Sequence, residues 1–85
     1  MRILEKLPNI GPEVARQLEQ VGVTEAEQLR QLGSREAWLR VQAIDPSACI
    51  HRLYGLEGAV RGVKKSMLPP EVKAELKDFY SAHKL

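Results

Sequence analysis

The stretch Leu7-Pro8-Asn9-Ile10-Gly11-Pro12 carries the residue types with which a chain can grip an anion. Pro8 fixes its own φ, and Asn9 tolerates a left-handed φ better than most non-glycine residues. Gly11 has access to backbone angles closed to other residues, and Pro12 suits the first turn of a helix. A tight turn of this kind, loading into a helix, points successive backbone N–H groups one way and makes a potential phosphate site. Arg16 follows one turn into that helix. Glu13 stands ahead of it, where a carboxylate favours the helix dipole but repels phosphate. A second cationic cluster, Arg61, Lys64 and Lys65 with Arg52 upstream, suits the C-terminal end of a helix or a patch for phosphate or an acidic partner. The residues expected at a phosphate contact are therefore Asn9, Gly11 and Arg16 at the hairpin, with Lys64 and Lys65 as a second patch. The other reading of the same loop is a plain helix connector.

Other chemistry finds no foothold. Cys49 and His51 are two apart, so on a helix they diverge and form no nucleophilic pair. Cysteine, histidine and carboxylates show no metal-ligand spacing, so no metal is expected. There is no Walker-type loop, serine elbow or dinucleotide fingerprint, and no cofactor is expected. The chain reads as a non-enzyme.

The elements that must position the cationic residues are helices. β-branched residues are sparse and nowhere alternate over a useful length. The spacing predicts an all-α fold, a compact bundle of about five short helices. After a lead-in turn holding Leu4 and Leu7, a helix runs from about Pro12 to Val21 with Val14, Leu18 and Val21 on one face, and Gly22 ends it. Thr24-Glu25-Ala26-Glu27 reads as a capping box with Thr24 as N-cap. The next short helix buries Ala26, Leu29 and Leu32 and ends at Gly33. Ser34 caps the one after it, where Ala37, Trp38, Val41 and Ile44 face inward.

Asp45-Pro46 then reads as the start of the longest helix, along which Cys49, Leu53, Leu56, Val60 and Val63 form an apolar seam. Gly55, Gly58 and Gly62 on this helix each cost about 1 kcal/mol against alanine mid-helix, which implies close approach of a neighbouring backbone. Gly62 alternatively marks the helix end. Leu68-Pro69-Pro70 is a rigid connector, and the last helix runs from about Pro70 to Ala82 with Val72, Leu76 and Phe79 inward.

Eighty-five residues make one domain, 1–85, and 44% apolar with 28% charged residues is the composition of a soluble globular chain. The net charge of +2 is too weak to name a partner. Residues 1–43 hold six basic and six acidic residues, whereas 44–85 hold seven and five, so the excess lies wholly in the second half. A single cysteine forbids an intrachain disulfide and fits a reducing compartment. No apolar run approaches the roughly 18–20 residues that span a bilayer, and the first five residues hold no signal-peptide core. A cytoplasmic location with no membrane contact is the expectation.

The hairpin looks like a helix-hairpin-helix motif, with Asn9 at the third loop position in place of the usual glycine and Glu13 where a lysine is usual. Over nearly the whole chain, from about Leu7 to Leu76, the sequence resembles the C-terminal domain of the TfoX/Sxy family of bacterial competence regulators. The resemblance rests on Leu7–Pro12, Val21-Gly22-Val23, Leu29, Leu32-Gly33, Ala37-Trp38-Leu39-Arg40, Leu53-Tyr54-Gly55-Leu56-Glu57-Gly58-Ala59, Leu68-Pro69 and Lys73. It implies a small all-helical domain of a non-enzymatic family. In the regulators this domain follows an N-terminal domain and takes part in switching on genes for DNA uptake. Here the pattern begins next to Met1, so the expectation is the domain standing alone.

The residues support two functional readings. In the first, the chain is an interaction module of bacterial transcriptional or competence-type regulation. It touches DNA weakly and without sequence preference through its backbone, using the hairpin. In the second, it is an adaptor that docks on a transcription-related protein, or a homodimerisation domain, with no nucleic-acid contact.

Overall fold

Apolar residues at helical spacing give five α-helices, and no strand forms among the described residues. The computed structural model describes residues 3–84; Met1, Arg2 and Leu85, which end the expected domain, lie outside the described residues. A 3-10 turn, Ile3–Lys6, leads through the hairpin into α1, Pro12–Gln20. Beyond it come α2, Ala26–Leu32; α3, Ser34–Ile44; and α4, Ile50–Arg61. A second 3-10 turn, Lys65–Met67, connects to α5, Pro70–His83.

The centre of the bundle is α4. It packs on α3 and α5 and touches α2 and the Lys65–Met67 turn. Leu53, Leu56 and Ala59 of α4 are sealed against Leu29, Trp38 and Leu76 in one core that also takes Leu4, Ile10 and Leu18. Trp38 is fully buried and meets the rings of Phe79 and Tyr80 edge-on, at centroid distances of 6.2 and 5.6 Å. Its indole N–H donates to the Cys49 carbonyl at 3.2 Å, so the polar edge of the ring is satisfied inside the core. The radius of gyration, 11.6 Å, matches the roughly 12 Å of a well-packed domain of this length.

Several local readings shift. The N-cap of α2 is Glu25, one residue later than expected, and Gln28 supplies the return bond. Its carboxamide oxygen accepts from the Glu25 and Thr24 backbone N–H groups at 3.1 and 2.8 Å. Ser34 is the first residue of α3 and caps nothing. Its hydroxyl instead donates to Glu57 Oε1 at 2.5 Å, tying α3 to α4.

Asp45 does not start a helix. Its carboxylate accepts the backbone N–H and hydroxyl of Ser47, at 3.1 and 2.5 Å, and closes a turn instead. That turn delays α4 to Ile50, so α4 is shorter than α5, and the expected longest helix is not the longest. Cys49 becomes the N-cap and its side chain is exposed, not core. At the far end, α4 stops at Arg61, which leaves Val63 beyond the helix and exposed. Ile44, at the end of α3, is likewise 46% exposed rather than inward.

The closure of α4 sets the path of the chain beyond it. Gly62 takes a left-handed φ of 77°, its N–H bonds the Ala59 carbonyl, and the Val63 N–H bonds the Gly58 carbonyl at 2.9 Å. This Schellman closure satisfies the last carbonyls and turns the chain sharply toward Lys64.

Candidate functional site

The hairpin and the end of α4 form one joint, and Asn9 makes it. Its backbone is left-handed, φ 68°, the one non-glycine residue so placed among those described. That conformation aims the side chain at α4. The carboxamide nitrogen donates to the Gly55 carbonyl at 3.3 Å and to the Val63 carbonyl at 3.0 Å. The carboxamide oxygen accepts the Lys65 backbone N–H at 3.0 Å. Gly58 is glycine because this joint presses on it. A Cβ there would meet Asn9 Nδ2 and would lie 2.6 Å from the Val63 carbonyl oxygen. Gly55 sits under Asn9 more loosely, its would-be Cβ 3.4 Å from the Asn9 Cβ. The close approach expected at the α4 glycines therefore comes from the Asn9 side chain together with the chain's own exit from α4.

Gly11 does not use the freedom of glycine. Its φ is −90°, extended, and a Cβ would meet nothing within 4 Å. It serves as the N-cap of α1 without a side-chain cap. Ile10 anchors the loop in the core, 5% exposed.

This joint gathers cations from distant parts of the sequence. Lys6, Pro8, Asn9, Gly62, Lys64, Lys65 and Ser66 line an open groove of about 560 Å³. Three lysines and no carboxylate border it, and none of the three makes an ion pair among the described residues. On the other side of Asn9 and Lys65 lies a smaller depression of about 270 Å³, reaching Ile10, Val14, Cys49, His51 and Arg52.

The expected site residues thus fall in two groups. Asn9, Lys64 and Lys65 come together. Gly11, the N-cap of α1, and Arg16, one turn into it, stand apart, and Arg16 Nη2 pairs with Glu13 on the exposed helix face. The other arginines of the second patch are also engaged. Arg61 Nε bonds Glu57 Oε2 at 2.5 Å. Arg52 Nη1 reaches Gln17 Oε1 at 2.8 Å and Asp45 Oδ2 at 3.0 Å. Lys6 is the groove residue that sequence reasoning missed. Its adjacency to Leu7 was a faint signal, but its meeting with Lys64 depends on a contact more than fifty residues away.

Two carboxylates lie close to these arginines. Hydrogen bonds from Ser47 and Gln17, then Arg52, hold Asp45 well below the usual carboxylate range. At Glu57, burial pushes the carboxyl up, but the Ser34 and Arg61 hydrogen bonds and the charges of Arg61 and Arg35 outweigh it and leave it lowered. Asp45 pairs with Arg52 and Glu57 with Arg61, whereas no carboxylate stands in the lining of the lysine groove. Among the described residues no group of three or more His, Cys, Asp and Glu could hold a metal ion. No helix among them is long and apolar enough to cross a membrane.

Such a five-helix bundle, with a lysine-lined groove where its first hairpin meets the end of its central helix, defines a small all-α domain. The family model of the TfoX C-terminal domain matches residues 1–80, and the chain belongs to that family, a competence-regulation-related one. Two crystal structures from Listeria monocytogenes have the same fold. One, an uncharacterized protein in a triclinic form, superposes with a TM-score of 0.92 at 40% identity over 93% of this chain and 90% of that one. The other, a protein of unknown function in a tetragonal form, gives 0.90 at 40% identity over 92% of this chain and 96% of that one. No curated protein matches.

Proposed function

We propose that this chain is a non-enzymatic interaction module of competence-type regulation that contacts nucleic acid weakly through the phosphate backbone, at the hairpin face. The observation that supports this is the joining of two cationic segments by Asn9. Lys64 and Lys65 sit beside the hairpin, while the competing arginines are neutralised by Glu13, Asp45 and Glu57. Sequence-independent backbone binding needs unneutralised positive charge and little else, and its affinity falls steeply as salt rises. The test is titration of a labelled duplex at increasing salt. A linear fall of log affinity with log salt supports the reading, and no binding at low salt removes it.

A second reading has its own support. Met67 is 70% exposed and Val63 36%, both on the segment that carries the lysines. An adaptor surface or homodimer contact would use them. Retention of a protein partner after nuclease treatment, lost on Met67→Glu, favours this reading over the first.

A further inference from the structure

We infer that the groove between Lys6 and the Lys64–Ser66 connector is where the phosphodiester group docks, and that Lys6 is a contact residue. The inference rests on the nucleic-acid reading above and goes beyond it in placing the contact away from α1. The groove gathers Lys6 from the first 3-10 turn with Lys64 and Lys65 from beyond α4, and Ser66 adds an exposed hydroxyl.

Two physical points select a phosphate group. First, α4 ends at Arg61, so its dipole accounts for neither Lys64 nor Lys65, which lie beyond it, nor for Lys6, which belongs to the first 3-10 turn. Three like charges around one hollow, with no carboxylate in its lining, make it attractive to an anion. Second, the lining offers charge and almost nothing that discriminates. Pro8 and Gly62 have no polar side chain, and the Asn9 carboxamide is already occupied by Gly55, Val63 and Lys65. A phosphorylated peptide is held best by the bidentate fork of arginine. Lysines act as point charges, which suits exchangeable backbone phosphates read without sequence. The volume, about 560 Å³, lies within the range of small-ligand sites and admits one phosphate with its sugar.

Arg16 lines neither hollow and is paired with Glu13. The hairpin therefore contributes by holding the groove's two banks together, with the α1 N-terminus outside the contact.

The experiment compares the protein with its Lys6→Glu, Lys64→Glu, Lys65→Glu and Arg16→Glu variants. Each is checked for unchanged helical circular dichroism and titrated with a labelled duplex across a salt series. The expected result is about tenfold weaker binding for each lysine reversal, with the salt slope reduced by about one, and little change for Arg16→Glu. Weakening by Arg16→Glu with Lys6→Glu unchanged overturns the groove and leaves nucleic-acid binding standing. In parallel, inorganic phosphate is titrated into the labelled protein and backbone amide shifts are monitored. Shifts centred on Lys64–Ser66, without duplex binding, sustain the groove as a phosphate site and overturn its nucleic-acid ligand. Neither shifts nor duplex binding overturns both.

Discussion

Asn9 and Val63 are joined by a hydrogen bond of 3.0 Å from carboxamide to carbonyl, across 54 positions of sequence. This bond and its two companions decide where Lys64 and Lys65 stand relative to the hairpin. Replacing Asn9 separates the contributions. Asn9→Ala removes three hydrogen bonds, each worth about 0.5–1.5 kcal/mol net, and puts at φ 68° a residue without asparagine's tolerance of the left-handed region, adding about 1 kcal/mol. Asn9→Gly removes the bonds but keeps the backbone at ease. Urea denaturation should show a loss of about 2.5–5.5 kcal/mol for alanine and about 1 kcal/mol less for glycine. Equal losses would show that the backbone angle is not under strain.

Two glycines that look alike in sequence should behave differently. Gly58→Ala forces a methyl against the Asn9 carboxamide and within 2.6 Å of the Val63 carbonyl, a backbone atom that cannot swing aside. Overpacking of this kind costs about 1–3 kcal/mol. Gly11→Ala meets nothing within 4 Å at an extended φ, and a gain of about 0.4–1 kcal/mol through the unfolded chain offsets the poorer N-cap, so the variant should be near neutral. Thermal melts of the two variants side by side check the contrast.

The helices were legible because their signals are local. The seam through Leu53 and Leu56, the stop at Gly22 and the pair Pro69-Pro70 needed only neighbours within a turn or two. The errors arose where a side chain had two local choices. Asp45 is as good a partner for a turn as for a helix, and Ser47 two residues on took it. Once that turn formed, Cys49 lost its helical place and its burial. The groove was half visible. Lys64 and Lys65 stood out as a cluster, and Asn9 stood out as a departure from glycine. Their union with Lys6 depends on a contact over more than fifty positions, which no periodicity encodes.

The position of Cys49 carries a direct check. As the N-cap of α4 with an exposed side chain, its thiol should react fully with a disulfide reagent in the native protein, without denaturant. A core thiol on an α4 seam would react only at the rate of global unfolding. Trp38, the sole tryptophan, gives the companion signal. It is fully buried, so its emission should stay blue-shifted throughout the reaction.

The polar cluster of Gln17, Asp45 and Arg52 should make stability depend on pH on the acid side. Gln17 is 6% exposed and donates to Asp45 Oδ2 at 2.9 Å, while Arg52 bridges both. The Asp45 carboxyl is lowered, by Ser47 first and then by Gln17 and Arg52. A lowered folded-state pKa means the folded protein holds the ionised form more tightly than the unfolded chain does. The contribution is fully present above the unfolded value of about 3.9 and is lost as pH falls through the folded value. Glu57, lowered on balance by Ser34 and Arg61 against its burial, acts in the same direction. Melting temperature should therefore be level from neutral pH to about pH 5 and fall below it. Asp45→Asn should melt lower at neutral pH and show a shallower acid limb, the two curves converging as the carboxylate of the parent protonates. Ser47→Ala should lie between them, since Ser47 is the main cause of the lowered carboxyl. Parallel curves at all pH values would show that Asp45 acts through shape alone.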